Sequence, residues 1–214
     1  MRILSFILFI ALLANSCGGD NIKRVEIQTE FGNMKIELFD STPEHRDNFI
    51  KLATEGFYDD LLFHRVISGF MVQGGDPDSR DAPAGRGLGT GGPGYTINAE
   101  IGEKHFKGRL SAARQGDSVN PEKKSSGSQF YIVQGKPTPV EQLEAQAARA
   151  GFTYTDEDKK IYETVGGTPF LDNQYTVFGQ VVEGLEVIDK IAAVQCDGRD
   201  RPLEDVKMKV VVLN

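Results

Sequence analysis

The sequence predicts a mainly β domain built from antiparallel strands, with two principal helices and a short helical insertion. Three observations carry that expectation. Runs alternating apolar with polar residues recur along the chain, as strands with one buried face do, and they are separated by Gly, Pro, Asn and Ser turn signals. Helical stripes with a capped start or a glycine stop occur around residues 42–56 and 185–192. A chain of 214 residues with 39% hydrophobic and 26% charged content is long enough for one domain with a substantial core.

The first residues form a separate object. Met1-Arg2 is a positive start, residues 3–14 are an apolar run, and Ser16 precedes Cys17. About twelve apolar-rich residues are too few to span a bilayer of roughly 30 Å as a helix, so residues 1–16 read as a signal peptide of an exported protein. Leu13-Ala14-Asn15-Ser16-Cys17 resembles a bacterial lipobox, which implies lipid on Cys17 and a membrane anchor facing the periplasm or cell surface. Residues 17–23 then read as a polar tether. With Cys17 acylated, Cys196 is left without a disulfide partner and is expected to be a buried structural thiol.

The formal net charge of -7 and the pI of about 5.1 argue against a nucleic-acid groove, since Lys123-Lys124 is the only dense basic spot. No run of His, Cys, Asp or Glu has metal-ligand spacing, and no nucleophile stands beside a plausible base. A monomer is the default expectation.

From residue 24 to residue 214 the chain reads as one domain. Val25, Ile27 and Thr29, then Met34, Ile36 and Leu38, alternate around Phe31-Gly32-Asn33 and form a first hairpin. Thr42 is expected to N-cap a helix with Pro43 at its first position, Phe49, Leu52 and Ala53 on its apolar stripe, and Gly56 at its end. His45 is expected at the surface. Residues 63–67 and 70–73 flank the turn pair Ser68-Gly69, which predicts a second hairpin, and period two sets Arg65 on one face of it with Met71 and Gln73 on one face of the return run.

Gly87, Gly89 and Gly92 spell a formal G-x-G-x-x-G, but Pro93-Gly94 directly afterwards blocks the helix that a dinucleotide loop must open. Residues 110–114 and 129–133 are two more strands. Residues 137–168 shift to helix formers over 140–150 and 156–165 and are expected to be short, mostly solvated helices decorating one rim. A strand over 176–182, a helix with Leu185, Ile188 and Ile191 on one face, and a strand over 206–213 close the chain, for about eight strands in all.

The central hairpin reads FHRVISGFMVQGGD over residues 63–76. That string resembles the signature of the cyclophilin family of peptidyl-prolyl cis-trans isomerases. Gly89-Thr90-Gly91-Gly92, Leu110-Ser111-Ala112-Ala113, Ser128-Gln129-Phe130-Tyr131-Ile132 and Phe170-Leu171-Asp172 follow in the family's order. The resemblance implies a closed eight-stranded antiparallel β-barrel capped by two α-helices, and it implies isomerisation of X-Pro bonds in proline-containing polypeptides without a cofactor. It makes Arg65 the donor to the prolyl nitrogen, with Phe70 and Gln73 beside it. Met71, Tyr131 and Leu171 would wall the pocket, with Gly89, the Ala113 backbone, Phe170 and Tyr175 contacting substrate. Tyr175 stands where many members carry His, and Phe170 where some carry Trp. Gln129 is either a substrate contact or a structural amide. His64 is expected to be structural, since period two points it away from Arg65 and isomerisation needs no proton shuttle. The competing class is a barrel that grips proline-containing segments without turning them over.

Overall fold

The computed structural model describes residues 22–213. The expected signal segment and Cys17 lie outside the described residues, as does all of the tether except Ile22 and Lys23.

Alternation produces the strands where it predicts them. The first hairpin pairs β1 (Arg24–Thr29) with β2 (Gly32–Leu38), and its apolar residues Val25, Ile27, Met34, Ile36 and Leu38 all face inward. Further along lie β3 (Leu61–Leu62), β4 (Arg65–Ile67) and β5 (Met71–Gly74), followed by β6 (Thr96–Ile97), β7 (Arg109–Ala112) and β8 (Ser125–Ser126). The last strands are β9 (Phe130–Val133), β10 (Val177–Glu183) and β11 (Lys207–Leu213). Nine of them form one sheet in the order β3-β11-β1-β2-β10-β7-β9-β5-β4, antiparallel at every pairing, while β6 and β8 make a separate ribbon.

The sheet must curl. Its edge strands β3 and β4 are joined by only Phe63 and His64, a reach of about 11 Å, whereas a flat sheet of this order would hold its edges roughly 38 Å apart at about 4.8 Å per strand. Counting β3 and β4 as halves of one broken strand gives the expected eight-stranded barrel.

Two helices pack into the barrel core. α1 (Pro43–Thr54) contributes Phe49, Leu52 and Ala53, and Phe49 meets Tyr58, Phe130 and Phe178 at ring-centroid distances of 4.9 to 5.4 Å. α4 (Leu185–Ala192) contributes Val187, Ile188, Ile191 and Ala192, while Leu185 turns to the exposed side and lies over Gly108, so the expected stripe is shifted.

Two expectations at α1 are corrected. Thr42 does not cap with its side chain: its hydroxyl turns back to the Phe39 carbonyl, and the first-turn N–H groups of Glu44 and His45 donate to the Glu100 carboxylate at 3.1 and 3.0 Å. A carboxylate from a distant segment has taken over the cap, placing a negative charge at the helix N-terminus. His45 is buried, because it shares the helical stripe of Phe49 and Leu52. Its Nδ1 lies 2.6 Å from Glu100, and its ring packs against Phe178.

The insertion forms two short helices, α2 (Val140–Ala150) and α3 (Asp156–Thr164), mostly exposed as expected, but it is more than decoration: Leu143, Ala147 and Tyr162 are buried and, with Tyr154 between the helices, form a second apolar cluster with Phe106. Val165, at the end of α3, is exposed. Cys196 is half-buried rather than buried, and burial raises its thiol pKa, which leaves it in the unreactive protonated form.

Candidate active site

The side of the sheet turned away from the barrel core carries the site. Antiparallel register sets Arg65 opposite Gln73, Gln73 opposite Tyr131, and Tyr131 opposite Ser111, so these four residues form one row across β4, β5, β9 and β7. Their sequence neighbours Val66, Val72, Phe130, Ile132 and Ala112 point the other way, into the main core. One strand therefore supplies a core residue and a site residue in alternation.

Met71, Ala113, Tyr131 and Val133 are buried on the outer face, with Ile67, Phe70, Leu171 and Tyr175 packed against them. Phe70, Met71, Ala113, Tyr131, Leu171 and Tyr175 of this group line a cleft of about 160 Å³ together with Arg65, Gln73 and Arg114. The Arg65 side chain remains 43% exposed, which leaves its donors available to a ligand. Its Nη1 donates to Gln73 Oε1 at 3.3 Å, and its Nε stands 3.6 Å from the Asp200 carboxylate, a long and solvent-exposed pairing.

The orientation of Arg65 is relayed inward. Gln73 Nε2 donates to Gln129 Oε1 at 3.1 Å, and Gln129 Nε2 donates to the Gly91 carbonyl at 2.7 Å. Gly91 is held in turn by the fully buried Asp76 carboxylate, which accepts from the N–H groups of Asp78, Gly89 and Gly91. A Cβ at Gly91 would come within 2.1 Å of that carboxylate, so the loop needs glycine there.

A second buried carboxylate supports the far wall. Asp172 Oδ1 accepts from the backbone N–H and the Nδ1–H of His105, both at 2.8 Å, and its Oδ2 accepts from Tyr154 at 2.7 Å and Tyr162 at 2.6 Å. Four donors satisfy one carboxylate. Burial lowers the His105 pKa despite Asp172, so the ring donates from Nδ1 as a neutral imidazole; it stacks on Tyr131 with the planes 10° apart. Burial and the Asp172 charge raise both tyrosine pKa values, which keeps the hydroxyls as donors. The insertion is thereby tied to the segment carrying Leu171 and Tyr175.

Of the residues expected from the sequence, Arg65, Phe70, Met71, Gln73, Ala113, Tyr131, Leu171 and Tyr175 meet in the cleft. Three stand outside its walls. Phe170 is 57% exposed at the rim, its ring 5.5 Å from that of Phe70. Gln129 lies one hydrogen bond behind Gln73. Gly89 lines a neighbouring cleft. His64 is buried on the wall of that neighbouring cleft, which Arg65 also lines, so the expected separation of the two is corrected; burial pulls its pKa down to about 4.

Sequence reasoning missed Arg114 as a wall residue. Its guanidinium carbon lies 4.4 Å over the Tyr175 ring, and its Nε donates to the Gln174 carbonyl at 2.9 Å. Among the described residues no group of three or more His, Cys, Asp or Glu gathers as metal ligands would.

The model of the family "Cyclophilin type peptidyl-prolyl cis-trans isomerase/CLD" matches residues 24–212, which is nearly all of the described chain. The chain belongs to the cyclophilin family. A putative peptidyl-prolyl cis-trans isomerase of Staphylococcus haemolyticus is 36% identical over 198 residues, covering 90% of this chain and 91% of that protein. A putative bifunctional phosphatase/peptidyl-prolyl cis-trans isomerase of Streptococcus pyogenes is 38% identical over 198 residues, but this chain spans only 38% of its length. The crystal structure of a cyclophilin type isomerase from Cryptosporidium parvum superposes with a TM-score of 0.67 at 26% identity, covering 90% of this chain and 98% of that one. A second structure of that protein, in the presence of the dipeptide Ala-Pro, gives a TM-score of 0.66 at the same identity, over 89% of this chain and 99% of that one. This cyclophilin is an enzyme, a peptidyl-prolyl cis-trans isomerase.

Proposed function

We propose that the protein isomerises X-Pro bonds in exported polypeptides, assisting their folding, with Arg65 donating to the prolyl nitrogen above an apolar slot. Amide resonance opposes rotation with a barrier of roughly 18 to 20 kcal/mol, and uncatalysed relaxation takes tens to hundreds of seconds. Turnover on the order of a millisecond requires about 7 kcal/mol of differential stabilisation of the twisted state. Twisting destroys the polar O–C–N resonance and leaves a pyramidal nitrogen bearing a lone pair. An apolar slot holds the ring in that less polar state, and a donor aimed at the lone pair favours it further.

The observation that carries this reading is the Arg65–Gln73 pair standing over Phe70, Met71, Tyr131 and Leu171. Arg65 suits the role because a guanidinium stays protonated and presents several fixed donors. A protease-coupled proline isomerisation assay tests it: Arg65→Ala is expected to lose roughly 100- to 1000-fold in kcat/KM, as for removal of one preorganised donor. Equal rates for the two proteins would move the reading to a module that merely grips proline segments.

The exported setting is supported by the positive start, apolar run and lipobox-like segment ending at Cys17. On this reading the mature chain is a membrane-anchored lipoprotein facing the periplasm or cell surface. Mass spectrometry of the N-terminal peptide after expression with its leader should find Cys17 acylated, and an unmodified cysteine would refute the anchor.

A further inference from the structure

We propose that a second cleft, joined to the first across Arg65 and Gln73, binds an acidic side chain of the polypeptide being isomerised. The proposal rests on the isomerase reading and adds a substrate preference to it. The cleft has a volume of about 290 Å³, larger than the apolar one, and lies between the 86–89 loop and the 197–201 turn. Its lining carries four guanidinium groups, Arg65, Arg86, Arg199 and Arg201, against the single carboxylate of Asp197.

Two of the four arginines are already committed. Arg65 belongs to the isomerase site. Arg201 is buried and donates to the carbonyls of Ala82, Pro83 and Arg86 and to the Asp205 carboxylate, and so fixes the segment that carries Arg86. The other two are free to act: among the described residues neither the Arg86 nor the Arg199 side chain makes a hydrogen bond or ion pair, and both residues are exposed. Arg199 reaches over Gly87, where Nη1 would lie 3.9 Å from a Cβ, so the bare glycine backbone leaves the cleft open.

Three carboxylates stand against these four guanidinium groups, two of them paired with the arginines already committed. Asp197 Oδ1 accepts from the backbone N–H groups of Arg199 and Arg201, Asp200 faces Arg65 Nε at 3.6 Å, and Asp205 is paired with Arg201. His64, also on the wall, is buried and contributes no counter-charge. The result is a local excess of positive charge on a chain whose formal net charge is -7. A carboxylate fits the forked donors of arginine, whereas the rest of the surface repels acidic peptides. Because both clefts share Arg65 and Gln73, an extended substrate with proline in the apolar cleft reaches the cationic one within about three residues at roughly 3.3 Å per residue.

The test uses paired peptides that differ by Glu against Gln at each position up to three residues on either side of one Ala-Pro bond. Isomerisation is followed by NMR exchange with the wild type and with Arg86→Gln/Arg199→Gln. At one position the Glu peptide is expected to show a kcat/KM about tenfold above its Gln partner at low salt, falling toward parity as salt is raised. In the double variant that ratio is expected to drop to about one, with turnover of the Gln peptides unchanged. A ratio near one at every position for the wild type, or a preference that survives in the double variant, would overturn the proposal. Absence of turnover of every Gln peptide by the wild type would strike at the isomerase reading instead, and equilibrium titration with the same peptide pairs would then decide the cationic site by the same ratio.

Discussion

Replacing Tyr162 with phenylalanine removes one oxygen from the insertion and leaves its ring in place. That oxygen donates to the buried Asp172 carboxylate at 2.6 Å, beside the Tyr154 hydroxyl and the two N–H donors of His105. A hydrogen bond to a charged group contributes about 1.5 to 3 kcal/mol, and here the acceptor is left buried when the donor goes, so the loss belongs in that range. With a urea slope of about 2 kcal/mol/M the unfolding midpoint should fall by roughly 1 M. The comparison is Val165→Ala, three residues beyond Tyr162 at the exposed C-cap of the same helix, which should stay within about 0.5 kcal/mol. Tyr154→Phe should cost a similar amount to Tyr162→Phe, and the double change should be non-additive because both hydroxyls share Oδ2. A Tyr162→Phe loss as small as that of Val165→Ala would refute the argument that the insertion is tied into the site wall.

Two further predictions concern the barrel. Burial pulls His64 from the ordinary 6.5 to about 4, so between those values the unfolded chain binds a proton that the folded ring refuses; stability is full above pH 6.5 and declines as pH falls toward 4, by up to about 3 kcal/mol from this residue. Denaturant titrations across that window should show the decline, His64→Asn should flatten it, and an undiminished slope in the variant would count against the assignment. Gly75→Ala should cost more than about 3 kcal/mol, since Gly75 has φ +85 and a Cβ would lie 2.2 Å from the Ser128 carbonyl; a thermal midpoint within a few degrees of wild type would contradict this.

The parts of the site that could be read from the chain are those built by local periodicity. Arg65, Met71 and Gln73 share a face because strands alternate, and a three-residue turn over 68–70 fixes their register. The parts that could not be read are joined by distant partners. Glu100 caps a helix that begins at Pro43, and nothing near either residue signals the pairing. Tyr154 and Tyr162 sit in a polar segment that reads as a solvated rim, yet the buried Asp172 carboxylate draws both hydroxyls inward. His45 was misplaced for a related reason: its helical spacing to Phe49 marked the buried stripe, but its burial depends on a carboxylate from elsewhere in the chain. Arg114 enters the cleft wall because β7 ends at Ala112, after which alternation no longer decides where side chains point.

The most direct test of the account is NMR exchange at the prolyl bond of an Ala-Pro peptide at saturating concentration, with wild type and Arg65→Ala side by side. Saturation separates holding the peptide from twisting it. The account predicts rapid cis-trans exchange on the wild type and its near loss in the variant, with the peptide still bound in the apolar cleft. Exchange that persists undiminished without the guanidinium would contradict it.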